Sequence, residues 1–114
     1  MPKFRVNESG TTLRVDANED ISSYTELSLV FRKPNGDTVT KTTADGVALG
    51  TSQVLDDDLG TLEANTYVYY DIQVGLLDTI GFWCVYFLYT NTAASPNDNW
   101  PGDPVEFEVK GLTC

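Results

Sequence analysis

The stretch Gly81-Phe82-Trp83-Cys84-Val85-Tyr86-Phe87-Leu88-Tyr89 constrains the fold more than any other part of the chain. It is the longest apolar run, built almost wholly of aromatic and β-branched residues, a composition suited to a pleated, buried surface. As a strand it spans about 30 Å, the height of a small sheet. As a helix it is too short to cross a membrane, which takes roughly 20 apolar residues. Both of its alternating faces are apolar. Trp83, Val85, Phe87 and Tyr89 share one, and Phe82, Cys84, Tyr86 and Leu88 share the other. A two-layer sandwich covers one face of each sheet, so the second face of this strand needs a covering that the strand itself does not name.

The flanking segments repeat the strand pattern at shorter length. Phe4 and Val6 alternate with polar residues, as do Leu13, Val15 and Ala17. Leu27, Leu29 and Phe31 give a third strand. Lys33-Pro34-Asn35-Gly36-Asp37 then predicts a hairpin, because proline presets φ and Asn-Gly tolerates positive φ. Residues 38–43 predict a threonine-rich edge strand, with Lys41 guarding the edge. Val47 and Leu49 suggest a short strand, residues 56–60 a loop, and residues 62–65 one turn of helix. Strands follow over residues 67–74 and 105–109. Residues 90–104 predict a long polar loop carrying a lone Trp100, which is either tucked over the sandwich end or a contact residue. The sum is seven or eight short strands with frequent turn signals and no helical periodicity. This predicts a single antiparallel immunoglobulin-like β-sandwich over residues 1–110, with 111–114 as a short tail.

Composition narrows the chemistry. Seventeen acidic residues against seven basic ones give a net charge of −10, which repels nucleic acid. No apolar stretch suits a membrane, and the first residues have no signal-peptide h-region. There is no histidine, which removes Ser-His-Asp and Cys-His catalysis and most zinc sites. Cys84 and Cys114 read as free thiols, in keeping with a reducing cytoplasm. Asp71 and Asp78, at strand ends, are the acids closest to apolar surroundings, and strand-end aspartates form turns. Asp16-x-Asn18-x-Asp20 has the start of a calcium-loop spacing, but Ile21 and Leu27 stand where glycine and a bidentate glutamate belong. Asp56-Asp57-Asp58 is a second acidic cluster, and both are read as solvated loops. The glycines at 46 and 50 lack a following Lys-Ser/Thr or helix, so no phosphate loop is present. These readings imply no cofactor, no metal and no enzyme.

Several segments together resemble a known family. They are Gly10-Thr11-Thr12-Leu13-Arg14-Val15, Phe31-Arg32-Lys33-Pro34-Asn35-Gly36, Leu77-Asp78-Thr79-Ile80-Gly81-Phe82-Trp83 and Val105-Glu106-Phe107-Glu108-Val109. The chain resembles the small immunoglobulin-like virion domains of tailed bacteriophages, as at the N-terminus of baseplate upper proteins. In that family a Phe-x-Lys-Pro-(Asn/Asp)-Gly hairpin and a Leu-Asp-x-x-Gly-x-Trp corner recur. The resemblance implies a non-enzymatic virion protein, assembled in the host cytoplasm, whose partners are other virion proteins and copies of itself. Larger members continue into receptor-binding regions. A chain that stops after one domain is expected to be an adaptor in the tail, baseplate or neck, or a decoration protein on the capsid. The corner also resembles the immunoglobulin tyrosine corner, with Trp83 in place of tyrosine. Val85 then occupies the disulfide position, so no inter-sheet disulfide is expected. The same resemblance turns Trp83, Val85 and Phe87 to the core and Phe82, Cys84, Tyr86 and Leu88 outward. Those four residues and Trp100 form the expected subunit interface. A carbohydrate-binding module, with Trp100, Tyr67, Tyr69 and the 91–104 loop as its surface for host glycan, is the reading from another class.

Overall fold

Alternation of apolar and polar residues decides the layers. The structure, a computed structural model, describes residues 3–93, 96 and 98–111. It contains eleven strands: β1 (Lys3–Arg5), β2 (Thr12–Asp16), β3 (Glu26–Arg32), β4 (Thr38–Thr42), β5 (Ala48–Leu49), β6 (Val54–Asp56), β7 (Gly60–Leu62), β8 (Tyr67–Asp71), β9 (Gly81–Asn91), β10 (Asp98–Pro101) and β11 (Val105–Lys110). The only helical element among the described residues is a 3₁₀ turn, Thr43–Asp45. None is long and apolar enough to cross a membrane.

The large sheet runs β1-β11-β9-β3-β4, with β10 also paired to β9. The small sheet runs β2-β8-β5. The β1–β11 pair is parallel, and every other pair is antiparallel. The β2-β8-β5 and β11-β9-β3 strands face each other as the two layers of a β-sandwich. The first strand joins β11 and not β2.

The inner faces interdigitate. Leu13, Val15, Val68 and Tyr70 from the small sheet meet Leu29, Phe31, Trp83, Val85 and Phe107 from the large one. Phe107 is central. Its ring lies 5.4 Å from Phe4, 5.9 Å from Trp83 and 6.4 Å from Phe31, while Phe31 reaches Tyr70 across the layers at 6.0 Å. Edge-to-face and offset pairs of this kind add to the stabilisation from burial alone.

Three expectations are corrected. The strands among the described residues number eleven, because β6, β7 and β10 are short and weakly patterned. The expected loop at 56–60 is the turn of the β6–β7 hairpin, with Asp56 and Gly60 as its closing strand pair. Asp56 Oδ1 accepts the backbone N–H groups of Asp58 and Leu59, which tightens that turn. Residues 62–65 contain no helical turn: Leu62 closes β7, and Asn65 sits at φ +66° in the reversal before β8. The 90–104 segment carries ladder both at its start and over 98–101. β9 runs on to Asn91, and β10 returns along it with Trp100 opposite Tyr89 and Pro101 opposite Leu88.

β10 and β11 follow the same edge of β9, interrupted at 102–104. The break passes so close to Phe87 that a Cβ on Gly102 would lie 2.0 Å from its ring, so only glycine fits. Gly102 N–H still donates to Phe87 C=O at 2.8 Å, keeping the two half-strands in line.

The small sheet has its own cover. Leu62 and Tyr67 are buried outside the central core, on the side where Tyr67 Oη donates to Ser52 C=O at 2.7 Å. Arg14, on the same face, pairs with Asp56 of the β6–β7 hairpin at 3.2 Å.

The core holds one orphan polar atom. Tyr70 is fully buried, and its hydroxyl has no hydrogen-bond partner among the described residues. Burial, with the Asp45 carboxylate nearby, pushes this phenol up from its ordinary pKa. An unmet buried hydroxyl costs free energy that phenylalanine does not. Tyr70→Phe is therefore expected to leave stability unchanged or raise it by up to about 1 kcal/mol, read from urea unfolding midpoints. A loss of about 2 kcal/mol would mean that the hydroxyl is hydrogen-bonded.

Candidate functional site

The two motifs that carry the family resemblance meet in space. The β3–β4 hairpin and the corner before β9 pack on each other at one end of the sandwich. Lys33 Nζ donates to Asp78 Oδ2 at 3.0 Å and lies 5.9 Å from the Trp83 ring centre. Gly81 takes φ +134°, and a Cβ there would lie 2.8 Å from the Pro34 ring, so the approach requires glycine. Trp83 Nε1–H donates to Thr79 C=O at 2.8 Å, four residues upstream. This is the tyrosine-corner bond made by an indole, and it fixes the chain's entry into β9.

Asp78 is therefore a structural anchor. Hydrogen bonds from Lys33 and Thr79 hold its carboxyl below the usual carboxylate range. Asp71 accepts the Thr12 hydroxyl at 2.6 Å across the β2–β8 ladder. The acidic clusters are engaged in turns as well. Asp16 Oδ1 accepts Asn18 N–H, and Asp20 Oδ1 accepts Ser22 N–H. No group of three potential metal-ligating side chains converges among the described residues.

Beyond the corner, β9 places its residues with strict alternation. Trp83, Val85, Phe87 and Tyr89 are buried. Phe82 is 56% exposed, and Cys84, Tyr86 and Leu88 are half-buried, all on the outer face of the large sheet. Cys84 is a free thiol pointing away from the small sheet, so it is not placed to bridge the layers. Cys114 lies outside the described residues. Ile80, 60% exposed, precedes β9 at the corner, next along the chain to Gly81 and the exposed Phe82. Val30 joins the outer-face stripe from β3 as the register partner of Tyr86. Pro101 and Pro104 border a shallow apolar depression beside Tyr86 and Leu88.

Trp100 does not belong to this surface. It shares the inner face with Tyr89, stacking on that ring at 5.1 Å and meeting Phe87 edge-on at 5.4 Å. It caps the end of the core, half-buried, because β10 pairing fixes its parity. The expected interface thus divides: Phe82, Cys84, Tyr86 and Leu88 come together, and Trp100 lies on the opposite face of the sheet. The glycan platform also comes apart. Tyr67 and Tyr69 stand on the small sheet, Tyr67 buried and hydrogen-bonded, so neither lines a surface with Trp100.

The sequence reading missed Ile80, Val30 and the prolines. Ile80 carries no alternation signal of its own, since β9 begins after it at Gly81. The prolines carry none either, since only the break at Gly102 brings them beside Tyr86.

No family model, curated protein or solved structure matches the chain.

Two outcomes check the corner. Trp83→Phe removes the indole bond to Thr79 and leaves space beside Phe107. It is expected to cost about 2–3 kcal/mol in chemical unfolding. Asp78→Asn tests the ion pair by its pH dependence. A carboxyl with a lowered folded-state pKa contributes stability that is present above its unfolded pKa and lost as pH falls through the folded value. The variant should be less stable than the parent at pH 7, by at most about 1 kcal/mol given its exposure. The two should converge in thermal melts as pH falls through the lowered folded-state value. A gap that persists in acid would assign the loss to packing.

Proposed function

We propose that the chain is a non-enzymatic structural protein of a tailed-phage virion, an adaptor in the tail, baseplate or neck. It is held in place by neighbouring subunits docked on the outer face of its large sheet. One observation carries the reading. The small sheet has a hairpin linked to its outer face, whereas on the large sheet Phe82 is exposed and Cys84, Tyr86 and Leu88 are half-buried in one apolar stripe. A contiguous apolar patch of this kind on a soluble domain marks an interaction site.

The resemblance supplies the setting. Its hairpin and corner motifs interlock through Lys33, Asp78, Gly81 and Trp83. They therefore build the entry to the strand that bears the stripe. The charge of −10 fits an assembly partner better than a nucleic-acid binder.

Quantitative mass spectrometry of purified particles tests this. The expected result is the chain present at low stoichiometry, in a small multiple of three, five, six or twelve copies. Hundreds of copies per particle would move it to the capsid surface as a decoration protein. Its absence from washed particles would overturn the virion reading.

A further inference from the structure

The open face is not a uniform apolar patch. Its charges lie in a pattern set by the register. In one row across the sheet, Cys84 stands in the middle, with Glu106 beside it on β11 and Arg32 beside it on β3. Both flanking side chains are exposed, and neither makes a hydrogen bond or ion pair with another described residue. The row thus reads acid, thiol, base.

The face also differs in charge from the rest of the molecule. By register parity four of the seven basic residues belong to it: Lys3, Arg5, Arg32 and Lys110, with Lys3, at the β1 edge, also lining the groove beside Arg14 and Asp56. Only three of the seventeen acidic residues do: Glu26, Glu106 and Glu108. The other three basic and fourteen acidic side chains of the chain are elsewhere. The rest of the chain thus sums to −11 and this face to +1, so pairing through it brings no net negative charge together.

We propose that the outer face of the large sheet is a homodimer interface, closed by a second copy around a two-fold axis running along β9. It rests on the same surface as the virion reading and names the partner. The register selects the axis. Rotation about a line along β9, in the plane between two copies, lays β9 on its counterpart and exchanges β11 with β3. Each Glu106 then meets the Arg32 of the other copy, and the two pairs flank the stacked stripes. Rotation about a line across the strands sets Glu106 on Glu106 and Arg32 on Arg32, which like-charge repulsion disfavours. An isologous contact of this kind closes at two copies.

The dimensions suit a modest dimer. The stretch from Ile80 to Leu88 is about 27 Å long, and five strands are about 19 Å wide. That gives roughly 500 Å² of flat area per copy, about 1,000 Å² in all, at the lower end for a specific interface. Association should therefore depend on concentration in the micromolar range. Packed sheets lie about 10 Å apart, so the two Cys84 thiols face each other within reach of a short bis-maleimide.

The test uses the Cys114→Ser chain, so that Cys84 is the single thiol. Sedimentation velocity from about 1 to 500 μM should show monomer giving way to dimer. A short bis-maleimide should trap that dimer, and adding Cys84→Ser should abolish trapping. Arg32→Glu and Glu106→Arg, each alone, should weaken the dimer at least about tenfold, and the double swap should restore it, because the row is then only reversed. Circular dichroism melts establish that these exposed variants stay folded. A protein monomeric throughout, a dimer without the cross-link, or a swap that fails to rescue overturns the proposal. Monomer that is still present in particles would sink the two-fold dimer alone. A dimer absent from particles would sink the virion reading alone.

Discussion

The bond from the Trp83 indole to the Thr79 carbonyl fixes where β9 begins, and most of the structure follows from that point. β9 is the longest strand and pairs with β3, β10 and β11. A slip of one residue in its register would turn every one of its side chains to the other face. With Trp83 pinned inward on Phe107, Val85, Phe87 and Tyr89 must follow it into the core, and Phe82, Cys84, Tyr86 and Leu88 must face out. Lys33, from the neighbouring hairpin, supports the corner from the other side, tying β3 and β9 at the same end. The exposed stripe is thus the outward half of a register that the core dictates.

Much of this was legible in the sequence. Leu13 and Val15, Leu27, Leu29 and Phe31, and Phe107 and Val109 all alternate cleanly, and each is buried as expected. The turn at Lys33–Asp37 was equally clear, because proline and Asn-Gly have few other uses there. What stayed hidden depends on contacts remote in sequence. β10 is Asp-Asn-Trp-Pro, which no propensity marks as a strand, and it forms because β9 offers a free edge. The β6–β7 hairpin contains three consecutive aspartates, and its strands are held by the turn through Asp56 and by the ion pair to Arg14, 42 residues away. Trp100 stayed undecided between a cap on the sandwich end and a contact residue for the same reason. A tryptophan in a loop can face anywhere, but one opposite Tyr89 in an antiparallel ladder has its face decided for it.

The two sheets meet the same problem differently. Each has an outer face that alternation alone would leave half apolar. On the small sheet, Tyr67 and Leu62 are buried within the chain itself, with the Arg14–Asp56 ion pair at the hairpin's edge. On the large sheet Val30 is buried by its neighbours, while Phe82 and Ile80 remain in water. The asymmetry separates a face covered within the chain from one that is partly exposed, and most acidic residues lie away from the exposed one.

The parallel pairing of β1 with β11 has a mechanical side. Lys3 lies beside Glu108 and Arg5 beside Lys110, so a pull on residue 3 against residue 110 acts along the two strands in opposite directions. The ladder, extended by Val6 N–H to Lys110 C=O, is loaded in shear. Its hydrogen bonds then share the force and must yield together, whereas an antiparallel pair pulled from one end opens one bond at a time. Tension along the chain therefore meets its first resistance at β1, the shortest strand of the large sheet.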